Sequence, residues 1–77
     1  MGYTILRDSE GVMVTTITVE RGQPILRPDK PRLRAELLRA PVRIAGRRVG
    51  PGAGDRWLKA LEETYRGSHL RAEFRDT

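Results

Sequence analysis

The sequence predicts a small α+β fold in which one sheet, made of an N-terminal hairpin and later strands, is packed by one or two short helices. Three observations support this fold class. Two runs rich in β-branched residues lie in the first twenty residues and are separated by a glycine-containing turn. An apolar period of 3.6 residues follows Asp55, and a strict two-residue alternation lies near the end of the chain. With 77 residues, the chain is expected to form a single small domain over residues 1–77.

The N-terminal hairpin is predicted from strands at Tyr3–Arg7 and Val12–Glu20, joined by the turn Asp8–Gly11. β-branched side chains fill the second strand and favour extended backbone. Ile25–Leu26 adds a short strand before Pro28. The side chains that are expected to face the core from the second strand are those of Met13, Thr15, Ile17 and Val19.

A first helix is predicted to begin after Asp29, whose carboxylate can cap it, and to end at Arg39 or Ala40, before Pro41. Pro31 then falls in the first turn, where its missing N–H is harmless. The apolar side of this helix is expected to consist of Leu33, Leu37, Leu38 and Ala40.

The second half of the chain predicts a short hairpin, a loop, a helix and a strand. Val42–Val49 is typical of a hairpin or strand-turn about Gly46, and Gly50–Gly54 is a loop by composition. Asp55 is expected at the cap of the clearest helix, and Gly67 suits its left-handed termination. The apolar stripe of that helix is Trp57, Leu58, Leu61 and Tyr65, and the last strand alternates Leu70, Ala72 and Phe74 with polar residues.

Several chemistries lack the residues they need, so we expect no enzyme, no metal and no cofactor. There is no cysteine, which excludes disulfides and thiolate sites and favours a reducing compartment. His69 is the single histidine and has no partner at a metal-ligand spacing, and Ser68 beside it lies outside any nucleophile motif. Adjacent carboxylates such as Glu62 and Glu63 diverge around a helix, and pairs of Glu62 with Arg66 and of Asp55 with Lys59 are expected instead.

The glycine-rich loop and the lack of a long apolar run argue against two further classes, nucleotide-binding proteins and membrane-spanning proteins. Gly50–Gly54 precedes a helix, but it lacks both the Walker A pattern and the dinucleotide spacing, so a connector is the favoured interpretation. No apolar run approaches the ~20 residues of a membrane span, and the start of the chain does not have a signal peptide's apolar stretch. A cytoplasmic protein without membrane contact is therefore expected.

The positive charge is concentrated in the middle third of the chain. The net charge is +5, yet residues 21–48 alone hold nine basic and two acidic side chains. Thirteen of the fifteen bases are arginine, whose planar guanidinium binds phosphate or carboxylate with two hydrogen bonds. A surface of solvated arginines that reflects compositional bias explains the same pattern, and the sequence leaves both interpretations open.

If the turn about Gly46 lies beside the first helix, the two form one positive patch that can contact several phosphates. No aromatic residue lies among these bases, so backbone contact to a duplex is favoured over base stacking. The function predicted is a non-enzymatic binding module for an anionic partner, either nucleic acid or an acidic protein. The alternative is a small protein-interaction or homo-oligomerisation domain. The candidate anion-binding residues are Arg32, Arg39, Arg43, Arg47 and Arg48.

Overall fold

The computed structural model describes all 77 residues and has an α+β fold, as predicted. A four-stranded antiparallel sheet has the strand order β3-β2-β1-β6, and β4 and β5 form a separate two-stranded hairpin. Neither helix is long and apolar enough to cross a membrane. The elements in chain order are β1 (Gly2–Arg7), β2 (Met13–Glu20), β3 (Gln23–Arg27), α1 (Pro31–Arg39), β4 (Arg43–Ile44), β5 (Arg47–Arg48), a 3₁₀ turn (Pro51–Ala53), α2 (Asp55–Thr64) and β6 (Arg71–Asp76).

The core face of β2 follows the prediction except at its start. Thr15 is buried, but Met13 is 49% exposed, so the expectation for Met13 is wrong. The pairing with β1 shifts between Leu6, which lies opposite Thr15, and Arg7, which lies opposite Met13. Val14 is therefore an extra residue, a β-bulge, and a bulge interrupts the alternation of faces. Val14 packs against the core in its place.

Helix α1 has the predicted length but not the predicted cap. Pro31 is its first residue, and Lys30 occupies the N-cap position without a side-chain hydrogen bond. Asp29 lies one residue too early to reach the free N–H groups of the first turn, and its carboxylate pairs with Arg34 instead. Leu37 is buried, whereas Leu38, expected on the apolar side, is 50% exposed.

Helix α2 covers the inner face of the sheet with the predicted stripe. Trp57, Leu58 and Leu61 are buried, and the helix packs mainly on β6 and β1. Gly54, not Asp55, is the N-cap residue, so the predicted cap is again displaced by one position. The Asp55 Oδ1 atom accepts a hydrogen bond from the Gly2 N–H at 3.0 Å, which ties the start of β1 to α2.

Two buried threonines connect the sheet to its surroundings. The Thr4 hydroxyl donates a hydrogen bond to the Leu58 carbonyl at 2.8 Å, and the Thr15 hydroxyl donates to the Pro28 carbonyl at 2.8 Å. Every buried side-chain polar atom has a hydrogen-bond partner. The apolar core around them consists of Leu6, Ile17, Leu26, Leu37, Val42, Trp57, Leu58 and Leu61.

Candidate functional site

At the end of the basic middle third of the chain, β4 and β5 form a hairpin within Val42–Val49, one of the two forms that the sequence predicts there. Its turn residues Ala45 and Gly46 both have positive φ, 50° and 79°. Two consecutive positive values define a type I′ turn, whose twist matches that of the two strands it joins. At the open end of the hairpin, the Val49 N–H donates a hydrogen bond to the Val42 carbonyl at 2.9 Å.

Two arginines face each other across this hairpin without a counter-charge. Arg43 is the register partner of Arg48, and both are exposed. Directly opposite residues have Cβ atoms about 5 Å apart, and like charges there are destabilising. No carboxylate oxygen lies within 4.0 Å of either guanidinium. The Arg43 Nη1 atom donates a hydrogen bond to the Gly46 carbonyl at 3.1 Å, but a neutral carbonyl does not neutralise the charge, so a bound anion would lessen this repulsion.

The outer face of the main sheet provides a contrast. Arg7 and Arg71 are also register partners, on β1 and β6. Here, however, Glu73 lies beside them and forms ion pairs with Arg7 at 3.7 Å and with Arg75 at 2.7 Å. On the sheet, Arg7 and Arg75 therefore share the carboxylate of Glu73, although Arg71 forms no ion pair, whereas neither Arg43 nor Arg48 has a carboxylate partner on the hairpin.

The hairpin lies against the C-terminal end of α1. The Arg48 Nη2 atom donates a hydrogen bond to the Arg39 carbonyl at 3.4 Å, which places Arg39 beside the hairpin. Arg47 is exposed and opposite Ile44, so its side chain lies on the other face of the hairpin from Arg43 and Arg48, because successive residues of a strand point to opposite faces. Arg32 lies in the first turn of α1, about 10 Å away along the helix axis, in a different cavity. The structure thus brings together three of the five predicted residues, Arg39, Arg43 and Arg48; it places Arg47 on the other face of the hairpin and separates Arg32 from them.

A cleft of about 420 Å³ separates the hairpin from α2 and adds bases that sequence reasoning missed. Arg43 and Ile44 line one side, and Arg56, Lys59 and Ala60 line the helix side. Arg56 and Lys59 are three residues apart on the polar side of α2, a spacing visible in the sequence. Their placement across from Arg43 depends on how the hairpin packs against α2.

The carboxylates at the end of this cleft are already engaged. Glu63 forms an ion pair with Arg66 at 2.9 Å, and the Glu62 Oε2 atom accepts a hydrogen bond from the Phe74 N–H at 2.9 Å. The predicted pairs of Glu62 with Arg66 and of Asp55 with Lys59 do not form. Tertiary partners replace both of them, and Lys59 is left without a carboxylate. Five bases on this side of the hairpin and on α2 form no ion pair, and we call them the basic surface: Arg39, Arg43, Arg48, Arg56 and Lys59.

No aromatic side chain lines the cleft beside the basic surface. Trp57 is only 1% exposed, and Tyr65 and Phe74 pack against the core. Burial, and then the charge of Glu36, raise the pKa of Tyr65. The basic surface therefore offers charge and hydrogen bonds but no platform on which a base could stack.

The other groups that the sequence singled out have ordinary surroundings. His69 is exposed, and the Ser68 Oγ atom accepts a hydrogen bond from the Leu70 N–H at 3.2 Å. In the loop Gly50–Gly54, the amides of Ala53 and Gly54 donate to carbonyls within the loop, at 3.0 and 2.9 Å. Those two amides are therefore not free to cradle a phosphate. No three histidine, aspartate or glutamate side chains come together in a way that could hold a metal ion.

Comparison with protein-family models, with curated proteins and with solved structures finds no match to this chain.

Proposed function

We propose that this chain is a non-enzymatic binding module that contacts the phosphate backbone of double-stranded nucleic acid through the basic surface. The observation on which this proposal depends is the cross-strand pair of Arg43 and Arg48, which lacks any carboxylate partner. A row of phosphates supplies anions to several guanidinium groups at once, and release of condensed counter-ions drives such binding.

The shape of the surface favours a duplex over a single strand. The open cleft carries Arg43 on its hairpin side and Arg56 and Lys59 on its α2 side, a spread of positive charge that suits a continuous charged backbone. Single-strand binders add aromatic side chains on which bases stack, and no aromatic side chain lines this cleft. Phosphate contacts fix position without reading sequence, so we expect little sequence preference. A nucleic-acid partner requires a compartment that contains it, and the cytoplasm is the one we propose.

The test compares two triple variants that lower the net charge equally. Arg43→Gln/Arg47→Gln/Arg48→Gln removes the hairpin bases, and Arg7→Gln/Arg71→Gln/Arg75→Gln removes three bases from β1 and β6 on the outer face of the sheet. Binding to a generic duplex is measured by fluorescence anisotropy over a series of salt concentrations.

The hairpin variant should flatten the dependence of log K on log salt by about 0.9 for each phosphate that the protein no longer neutralises, while the control barely changes it. Arg56→Gln/Lys59→Gln should flatten it further, because these bases lie across the cleft from Arg43. Equal weakening in both triple variants would reduce the effect to non-specific attraction by the net charge. If the parent fails to bind a duplex at ~50 mM salt, nucleic acid is the wrong partner and an acidic protein becomes the candidate.

A further inference from the structure

Strand β6 forms one edge of the main sheet, and its outward row of backbone groups is partly covered. The Phe74 N–H donates to the Glu62 side chain at 2.9 Å, so it points away from β1. Backbone groups of alternate residues in a strand point the same way, so those of Ala72 and Asp76 also face outward. The carboxylate of Glu62 thus occupies the middle of this edge.

The opposite edge, β3, is blocked in a different manner. Pro24 lies within β3, paired with Val19, and has no N–H to donate to a further strand. Sheet edges with free donors and acceptors recruit other strands, and natural proteins cover them with prolines, charges or side chains. Of the two edges, β6 is the one that can extend the sheet once Glu62 is removed.

The sequence of β6 is complementary to itself in antiparallel orientation. When two copies pair about Phe74, Glu73 of each copy lies opposite Arg75 of the other, and Ala72 lies opposite Asp76. This register places outward-pointing residues opposite each other, as hydrogen bonding requires. A register centred on Glu73 would instead oppose two glutamates, and it would pair Arg71 with Arg75.

We infer that the β6 edge is a self-association surface for a second copy of this chain, and that the Glu62 carboxylate keeps it closed. The paired form is a two-fold dimer with an eight-stranded sheet, because each copy contributes its four strands. Pro24 then lies at both outer edges, so the assembly stops at the dimer. This inference is independent of nucleic-acid binding.

The experiment compares Glu62→Ala with Glu63→Ala, a matched control one residue along α2 with the same change in charge. Mass is measured by light scattering after size exclusion across a wide range of protein concentration. The parent and Glu63→Ala should remain at 8.7 kDa. Glu62→Ala should move toward twice that mass as its concentration rises, and no further. A parent that already dimerises through β6, or a folded Glu62→Ala that stays monomeric throughout, would overturn the inference.

Two further measurements test the register and the role of Glu62. In the Glu62→Ala background, Arg75→Glu should abolish the dimer because it opposes two glutamates, and adding Glu73→Arg should restore it. In the parent, hydrogen exchange at the Phe74 amide should be slow, because the carboxylate holds it. Rapid exchange at Phe74 in the parent would refute the role of Glu62, even if Glu62→Ala did not fold.

Discussion

Replacement of Trp57 by alanine should remove a large part of the stability of this fold. Trp57 is the largest fully buried side chain, 1% exposed, and it packs in the eight-residue core beneath α2. Truncation of a buried tryptophan to alanine costs about 3–5 kcal/mol, because transfer energy is forfeited and a cavity remains. The whole free energy of unfolding of a 77-residue chain is expected to be roughly 4–12 kcal/mol at ~0.05–0.15 kcal/mol per residue. The variant should therefore lose at least about a quarter of this free energy of unfolding, and nearly all of it if the parent lies near the lower limit.

The assay is urea denaturation followed by far-UV circular dichroism, with Leu38→Ala as the matched control. Leu38 is an apolar helical residue that is 50% exposed, so its truncation should change the free energy of unfolding by less than about 0.5 kcal/mol. Native parent fluorescence should be shifted to the blue of free tryptophan and move to the red on unfolding. If Trp57→Ala unfolds at the same urea concentration as Leu38→Ala, the core assignment is refuted.

Three other outcomes follow from a buried hydrogen bond, a turn conformation and a half-buried phenol. Thr4→Val should lower the free energy of unfolding by ~1 kcal/mol, because it removes the 2.8 Å hydrogen bond from the Thr4 hydroxyl to the Leu58 carbonyl. The loss is measured from the midpoint of urea denaturation, and an unchanged midpoint would contradict the prediction. In the hairpin turn, Gly46→Ala should destabilise the fold by about 1 kcal/mol, because Gly46 has a φ of 79° that alanine adopts only with strain. Ala45→Asn should stabilise the fold by a few tenths of a kcal/mol, because asparagine is preferred at this position of a type I′ turn. Thermal melts in which the two variants have the opposite order of stability would exclude the type I′ turn. Tyr65 should ionise above the ordinary pKa of about 10, as followed by tyrosinate absorbance with Tyr65→Phe as reference. Because the folded protein then retains that proton longer than the unfolded chain, stability should fall as the pH rises above about 10, and a rise there would contradict the assignment.

Much of the fold could be predicted because its signals are local. Alternation, apolar period and turn glycines act over a few residues, and they located the N-terminal hairpin, both helices and the final strand. The stripe of α2 is an example: Trp57 and Leu61 are buried as their spacing indicates. Each wrong prediction concerns only one or two residues, but its cause lies in the tertiary structure. The bulge at Val14 moved Met13 to the surface, because pairing with β1 overrode the two-residue alternation.

The sequence by itself determined the charge map and the candidate bases of the middle segment. Composition placed the excess of arginine there, and Gly46 marked the turn that presents Arg43, Arg47 and Arg48. Only the tertiary structure decided which bases meet. It joined Arg39 to the hairpin and separated Arg32 from it.

The tertiary structure also assigned partners to charges that local spacing paired differently. Arg56 and Lys59 face the hairpin across the cleft, Asp55 accepts a hydrogen bond from Gly2, and Glu62 accepts one from Phe74. A carboxylate on a helix surface gains only a few tenths of a kcal/mol from a base one turn away. A backbone N–H at a strand end or edge, with no partner in the sheet, competes successfully for that carboxylate. The reason is that an unsatisfied N–H costs more free energy than an exposed ion pair contributes. Those donors arise only when the sheet forms, so no local pattern in the sequence could reveal them.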